Sequence, residues 1–131
     1  MKNYDVQSIE LNVSRQKAFD FIADPTRLSS WTQAFASVEP GRAIMRKAEV
    51  GLDVVSSPNC GTVDWHMTFS NGDVATACSR LVDNGKGRCI YSFILLPPPV
   101  PLEQLEGALD EPSRTLTEEL GKLMTILEHH D

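Results

Sequence analysis

Cysteine is scarce and unpatterned in this sequence: Cys60, Cys78 and Cys89 are odd in number and form no CxxC pair. That argues against a disulfide framework and against a zinc site, and it reads as reduced thiols of a cytoplasmic protein. Histidine is short as well. His66 lies in the patterned region, and His129 and His130 sit at the carboxyl end, too few convergent ligands for a metal centre. Positive charge is in deficit, with twelve Lys and Arg against eighteen Asp and Glu, a net charge of −6. Such a chain is poorly suited to nucleic-acid backbones or anionic membrane surfaces. No apolar run reaches the roughly 20 residues that cross a bilayer. The amino-terminal MKNYDVQSIEL has no apolar core of a secretory signal, which again points to the cytoplasm. Gly-rich phosphate loops, GxSxG and HExxH are all missing, so neither a cofactor nor a metal is expected.

What is present fits one domain over residues 1–131, long enough to bury roughly two-thirds of its unfolded surface. Residues 4–12 alternate as a strand, with Val6, Ile9 and Leu11 apolar. Ser14 is an N-cap for the short helix RQKAFDFIA, and Asp24-Pro25 ends it and opens a second, over 25–32, carrying Leu28 and Trp31. From Phe35 to Leu96 the texture is strand and turn. Pro40-Gly41 is one turn, 48–51 another between strands at 43–47 and 50–56, and Ser57–Gly61 a loop. TVDWHMTF and VATACSRLVD flank Asn71-Gly72, a strong hairpin signal, and RCIYSFILL follows a turn at Asn84–Gly87. From Leu102 to about 128 the apolar period becomes helical, with Pro112 predicting a kink or break.

One strand, two short helices, a run of antiparallel strands and one long carboxy-terminal helix make an α+β pattern. Ile9–Leu11 with SRQKAFDFIADPTRLSSW, the TVDWHMTF hairpin and the closing LTEELGKLMTILE carry a likeness that spans nearly the whole chain. It resembles the helix-grip fold of the START-like, polyketide-cyclase/dehydrase-like (SRPBCC) superfamily. The resemblance implies a curved antiparallel sheet of six or seven strands around the last helix. It also implies a cavity for a lipid, hormone or polyketide between sheet and helix. Fold by itself does not select among ligand carriers, cyclases and co-chaperones.

The turns set the strand register. A two-residue Asn71-Gly72 loop places Trp65 opposite Cys78, Met67 opposite Thr76 and Val63 opposite Arg80. A four-residue Asn84–Gly87 loop then places Cys78 opposite Phe93 and Arg80 opposite Tyr91. The inward face therefore holds Val63, Trp65, Met67, Phe69, Cys78, Arg80, Tyr91, Phe93 and Leu95. Ala75, Ala77 and Ser79 fall on the outer face with Asp64 and His66. The expected ligand-binding cavity comprises Trp31, Phe35, Trp65, Met67, Cys78, Arg80, Tyr91, Phe93, Leu109, Leu116 and Leu120. Trp65 is its central wall, pointing at the terminal helix near Leu116 and Leu120. Arg80 and Tyr91 are the polar handles, and Arg80 on an apolar face must pair or reach solvent. His66, beside Ala77 and Ile94, reads as structural, and PPPVP at 97–101 as a stiff connection.

The functional expectation is a protein that binds a small hydrophobic molecule in an internal cavity, without a cofactor. One alternative is a cofactor-independent cyclase, aromatase or dehydrase; another is a protein-binding regulatory module. Ala75, Ala77, Ile90 and Ile94 make the outer sheet face a candidate homodimer surface.

Overall fold

The computed structural model describes residues 4–33, 35–45, 48–97 and 109–129. Its elements are β1 Asp5–Leu11, α1 Arg15–Ile22, a 3-10 turn Pro25–Arg27, α2 Leu28–Trp31 and β2 Phe35–Glu39. They continue with β3 Arg42–Met45, β4 Ala48–Ser57, β5 Thr62–Thr68, β6 Val74–Asp83, β7 Cys89–Leu95 and α3 Asp110–His129. The strands form one curved antiparallel sheet in the order β1-β7-β6-β5-β4-β3-β2. This is the expected α+β, helix-grip architecture.

Local chemistry explains the boundaries. The Ser14 hydroxyl accepts from the Lys17 N–H and caps α1. Asp24 caps the next turn by accepting from the Thr26 N–H, and Pro25 stands where a missing N–H costs nothing. The second helix is therefore one 3-10 turn followed by one α turn. The turn expected at 48–51 is absent: those residues belong to β4, and Gly51 pairs with Thr68. The described helix Asp110–His129 runs unbroken through Pro112. That proline lies in the first turn, where helix N–H groups lack internal partners, and Ser113 makes an i→i−4 bond to Leu109 at 2.8 Å. The portion of the helix expected at 102–108, and the connection at 98–101, lie outside the described residues.

α3 packs its stripe of Leu116, Leu120, Leu123 and Leu127 into the sheet's inner side. Gln7 of β1 fixes its start, donating to the Ser113 carbonyl and accepting from the Thr117 hydroxyl, each at 2.9 Å. The inner face of β5 is Val63, Trp65 and Met67, all buried, as the alternation requires.

The hairpin registers differ from expectation by one residue each, in opposite senses. At the first hairpin, Phe69 N–H bonds to the Asp73 carbonyl and Gly72 N–H to the Phe69 carbonyl. The loop therefore has three residues, Ser70, Asn71 and Gly72, with Gly72 in the left-handed region at φ 91°. Trp65 faces Ala77, Met67 faces Ala75 and Val63 faces Ser79. The second loop shifts back: Asp83 pairs Cys89 and Ser79 pairs Phe93. The two shifts cancel for β7, so Tyr91, Phe93 and Leu95 keep their inward orientation. Only β6 is turned over. Cys78 and Arg80 look outward, and Ala75, Ala77, Ser79 and Leu81 look inward.

Among the described glycines, Gly61, in the turn between β4 and β5, leaves the least room for a side chain. It has φ 74°, and a Cβ there would stand 2.3 Å from the Leu81 carbonyl oxygen and 2.8 Å from the Arg15 guanidinium. Gly72 shares the positive φ but faces open space. The left-handed conformation alone costs an L-residue about 1–2 kcal/mol, and steric crowding adds about 1–3 kcal/mol. Urea unfolding should therefore show Gly61→Ala destabilising the protein clearly more than Gly72→Ala. Equal losses would contradict the packing at Gly61.

Candidate functional site

Between the inner face of the sheet and the first half of α3 lies a pocket of about 500 Å³. β5 contributes Trp65 and Met67, β6 Ala75 and Ala77, β7 Phe93 and Leu95, and α3 Thr115, Leu116 and Glu119. Leu28 and Trp31 come from the α2 region, and Phe35 and Met45 from β2 and β3. Small side chains at Ala75 and Ala77 make the room, because they stand opposite the large Met67 and Trp65. Aromatic contacts hold the wall. Trp65 stacks on Phe93 at 5.7 Å, Trp31 meets Trp65 edge-on at 6.4 Å, and Tyr91 meets Phe93 edge-on at 6.4 Å.

Trp31, Phe35, Trp65, Met67, Phe93, Leu109 and Leu116 stand on this wall. Four of the residues expected there do not. Cys78 and Arg80 are on the outer face because of the β6 register, Arg80 exposed and opposite Ser92 and Thr62. Cys78 lies against Asp64, and burial together with that carboxylate pushes its thiol up in pKa, so it is a poor nucleophile. Tyr91 and Leu120 are inward but sit in the packed core beyond the pocket. His66 lies on the outer face, its Nδ1 3.3 Å from the Thr76 hydroxyl.

Glu119 is the functional candidate that the sequence reading passed over. It is a buried carboxylate on the pocket wall, and its Oε2 accepts from the Gln33 N–H at 2.6 Å and from the Thr32 hydroxyl. Its spacing was a usable signal: position 119 is three residues after Leu116 and four before Leu123, on the apolar stripe.

Three buried polar atoms close to this region have no hydrogen-bond partner: Nε1 of Trp31, Nε1 of Trp65 and the Tyr91 hydroxyl. Ser79 Oγ lies near that hydroxyl but donates to the Val63 carbonyl at 2.7 Å. Burial pushes the Tyr91 phenol far above its ordinary range; Ser79 opposes this, and the charge of Glu119 adds to it.

A second depression, about 590 Å³, runs along α1 between Asp20, Phe21, Arg27 and Ile126. It is the larger of the two by volume, but its charges are of both signs and Arg27 already lies over the Phe21 ring and against Asp24. The described residues contain no cluster of three metal-ligating side chains, and no helix among them is long and apolar enough to cross a membrane.

No family model and no curated protein matches this chain. Solved structures do. A START superfamily protein from Mycobacterium smegmatis superposes with a TM-score of 0.62 at 11% identity, over 95% of this chain and 99% of that one. The di-domain ARO/CYC protein BexL from the BE-7585A biosynthetic pathway gives 0.70 at 13%, over 97% of this chain and 47% of that one. A conserved protein from Geobacillus kaustophilus gives 0.70 at 14%, over 98% and 96%. These likenesses establish the START-like, polyketide-cyclase-like fold.

The buried phenol has a pH consequence. An unfolded tyrosine ionises near pH 10, while the folded chain keeps Tyr91 neutral to higher pH. This contribution to stability is whole below about pH 10 and is lost as pH rises through the folded value. Chemical unfolding from pH 8 to 11 should show stability falling above pH 10, and falling less in Tyr91→Phe. At pH 7 that variant should change stability by less than about 1 kcal/mol, because the hydroxyl removed is unpaired. A loss above about 2 kcal/mol at pH 7 would show that the hydroxyl is bonded after all.

Proposed function

We propose that the protein binds a small hydrophobic molecule in the pocket between sheet and α3. The observation that carries the reading is the combination of an apolar pocket of about 500 Å³ with two unpaired indole N–H groups on residues of its wall. A buried donor left without an acceptor costs about 1–3 kcal/mol. A ligand oxygen that reached either indole N–H would remove that cost. The pocket has the size of small-molecule sites, which combine apolar walls with a few polar groups. The START-like fold of the Mycobacterium protein and the fold shared with BexL support the same reading by analogy. The unbridged thiols Cys60, Cys78 and Cys89 suit a reducing compartment such as the cytoplasm.

The enzymatic alternative, a cyclase or dehydrase, has less to stand on. Arg80 is outside the pocket, and the wall offers no histidine among the described residues. General acid–base work would fall to Glu119, which is already bound to Thr32 and Gln33. A homodimer or protein partner on the outer face has one observation in its favour: Val6 and Ile94 pair across strands there, at 48% and 38% exposure.

The test fills the pocket. Ala77→Phe adds a ring opposite Trp65 inside the available volume. Titration with Nile red should give saturable binding to the wild type and at least tenfold weaker binding to Ala77→Phe. Overpacking should cost the variant no more than about 1–3 kcal/mol of stability. Nile red binding that survives Ala77→Phe intact would place the apolar site elsewhere.

A further inference from the structure

We propose that Asn84, in the turn between β6 and β7, is a site of self-catalysed deamidation. The Gly85 nitrogen attacks the Asn84 side-chain amide with the Asp83 carboxylate as its base. The folded chain therefore converts Asn84 to aspartate and isoaspartate faster than it converts Asn71, which occupies a similar turn.

The sequence holds two Asn-Gly pairs, Asn71-Gly72 and Asn84-Gly85. In such a pair the glycine nitrogen can close on the asparagine side-chain carbon, because no Cβ stands in the way. The structure makes the two pairs a matched comparison. Each glycine is left-handed, at φ 91° for Gly72 and 84° for Gly85, and open space surrounds the place of its missing Cβ. Each asparagine Oδ1 accepts from the backbone N–H two residues on: Asn71 from Asp73 at 3.0 Å, Asn84 from Lys86 at 3.2 Å. A donor on that oxygen stabilises the negative charge that it gains under attack. The amide nitrogens are matched too. Asn71 Nδ2 donates to Asp73 Oδ2 at 3.0 Å, and Asn84 Nδ2 to Glu10 Oε2 at 2.9 Å.

What differs is the partner of the attacking nitrogen. Gly72 N–H donates to the Phe69 carbonyl at 2.9 Å, whereas Gly85 N–H donates to Asp83 Oδ1 at 2.6 Å. A peptide carbonyl is too weak a base to take a proton near neutral pH, while a carboxylate within hydrogen-bond reach can act as a general base. Asn71 is exposed and Asn84 half-buried, so solvent access alone favours the opposite order.

The steps balance without a further reagent except water. The Gly85 nitrogen bonds to Asn84 Cγ as its proton passes to Asp83. The Cγ–Nδ2 bond breaks and ammonia leaves with that proton, which closes a succinimide ring and restores the Asp83 carboxylate. Water then opens either carbonyl of the ring, giving aspartate or isoaspartate. The product no longer donates to Glu10 and sets a second carboxylate beside it, on a chain already at net charge −6. One tie between the β6–β7 turn and β1 is lost.

The full chain, held at 37 °C and pH 7, tests this through peptide mapping by mass spectrometry, with electron-transfer fragmentation to separate isoaspartate from aspartate. Asn84 should convert at least about fivefold faster than Asn71. Asp83→Ser keeps a turn oxygen for the Gly85 N–H but no base. It should slow Asn84 by at least about fivefold and leave Asn71 unchanged. In guanidinium chloride, where the turn geometry is lost, the two wild-type rates should come within about twofold of each other. Asn84 converting no faster than Asn71 in the folded protein overturns the inference. An excess at Asn84 that persists undiminished in guanidinium chloride belongs to local sequence and overturns it as well, and this control decides even where Asp83→Ser does not fold. An unchanged Asn84 rate in folded Asp83→Ser overturns the role of Asp83.

Discussion

The three-residue turn at Ser70–Gly72 is the constraint on which the interior depends. A strand presents alternate residues to opposite faces, so one residue more or less in a hairpin loop exchanges every side chain of the strand that follows. With Gly72 in the left-handed region, β6 sends Ala75, Ala77 and Ser79 inward. Those small side chains leave the space that α3 does not fill. The alternative register would put Cys78 and Arg80 under the helix. A guanidinium there would need a buried partner or a path to water. The observed turn avoids that cost and leaves an apolar pocket with Arg80 in solvent.

Around that pocket the protein keeps polar groups that a purely structural core would omit. Glu119 secures the junction of α2 and β2 to α3 through Thr32 and Gln33. Tyr91 and the two indoles each hold a buried polar atom without a partner, against the general rule that such atoms are bonded. A phenylalanine at these places would bury similar area with no orphaned donor. These atoms are grouped beside one pocket; under the proposed binding role, some folding free energy is given up to keep hydrogen-bonding groups near a site that a ligand oxygen would complete.

Much of the fold was legible because pattern and chemistry agreed. Val63, Trp65 and Met67 alternate with Asp64, His66 and Thr68, and Tyr91 and Phe93 alternate with Ser92, so the inner faces of β5 and β7 follow from period two. β6 gave no such guide. Ala75, Ala77, Cys78, Leu81 and Val82 place apolar or small residues on both faces, which left its orientation to the turn type. Asn71-Gly72 suits a two-residue loop, but it also suits the three-residue form in which Asn71 accepts from the Asp73 N–H and Gly72 takes the left-handed position. Opposite errors in the two loops cancelled at β7, which is why Phe93 was placed correctly and Arg80 was not. Pro112 lies in the first turn of the described helix Asp110–His129, a position that proline tolerates, and the expected short piece before it falls on residues outside the described ones. Glu119 was hidden by its neighbour Glu118, which makes the pair look like a solvated face.

The account stands or falls on the inner face of β6 being the floor of a ligand pocket. Methyl-resolved NMR on protein labelled at Ala and Met, titrated with 1-naphthalenemethanol, reads that face directly. The account predicts saturable shifts of the Ala75, Ala77, Met45 and Met67 methyls, with backbone signals of the outer-face residues Val55, His66 and Val82 unmoved. Shifts confined to those outer-face residues, with the four methyls unchanged, would contradict it.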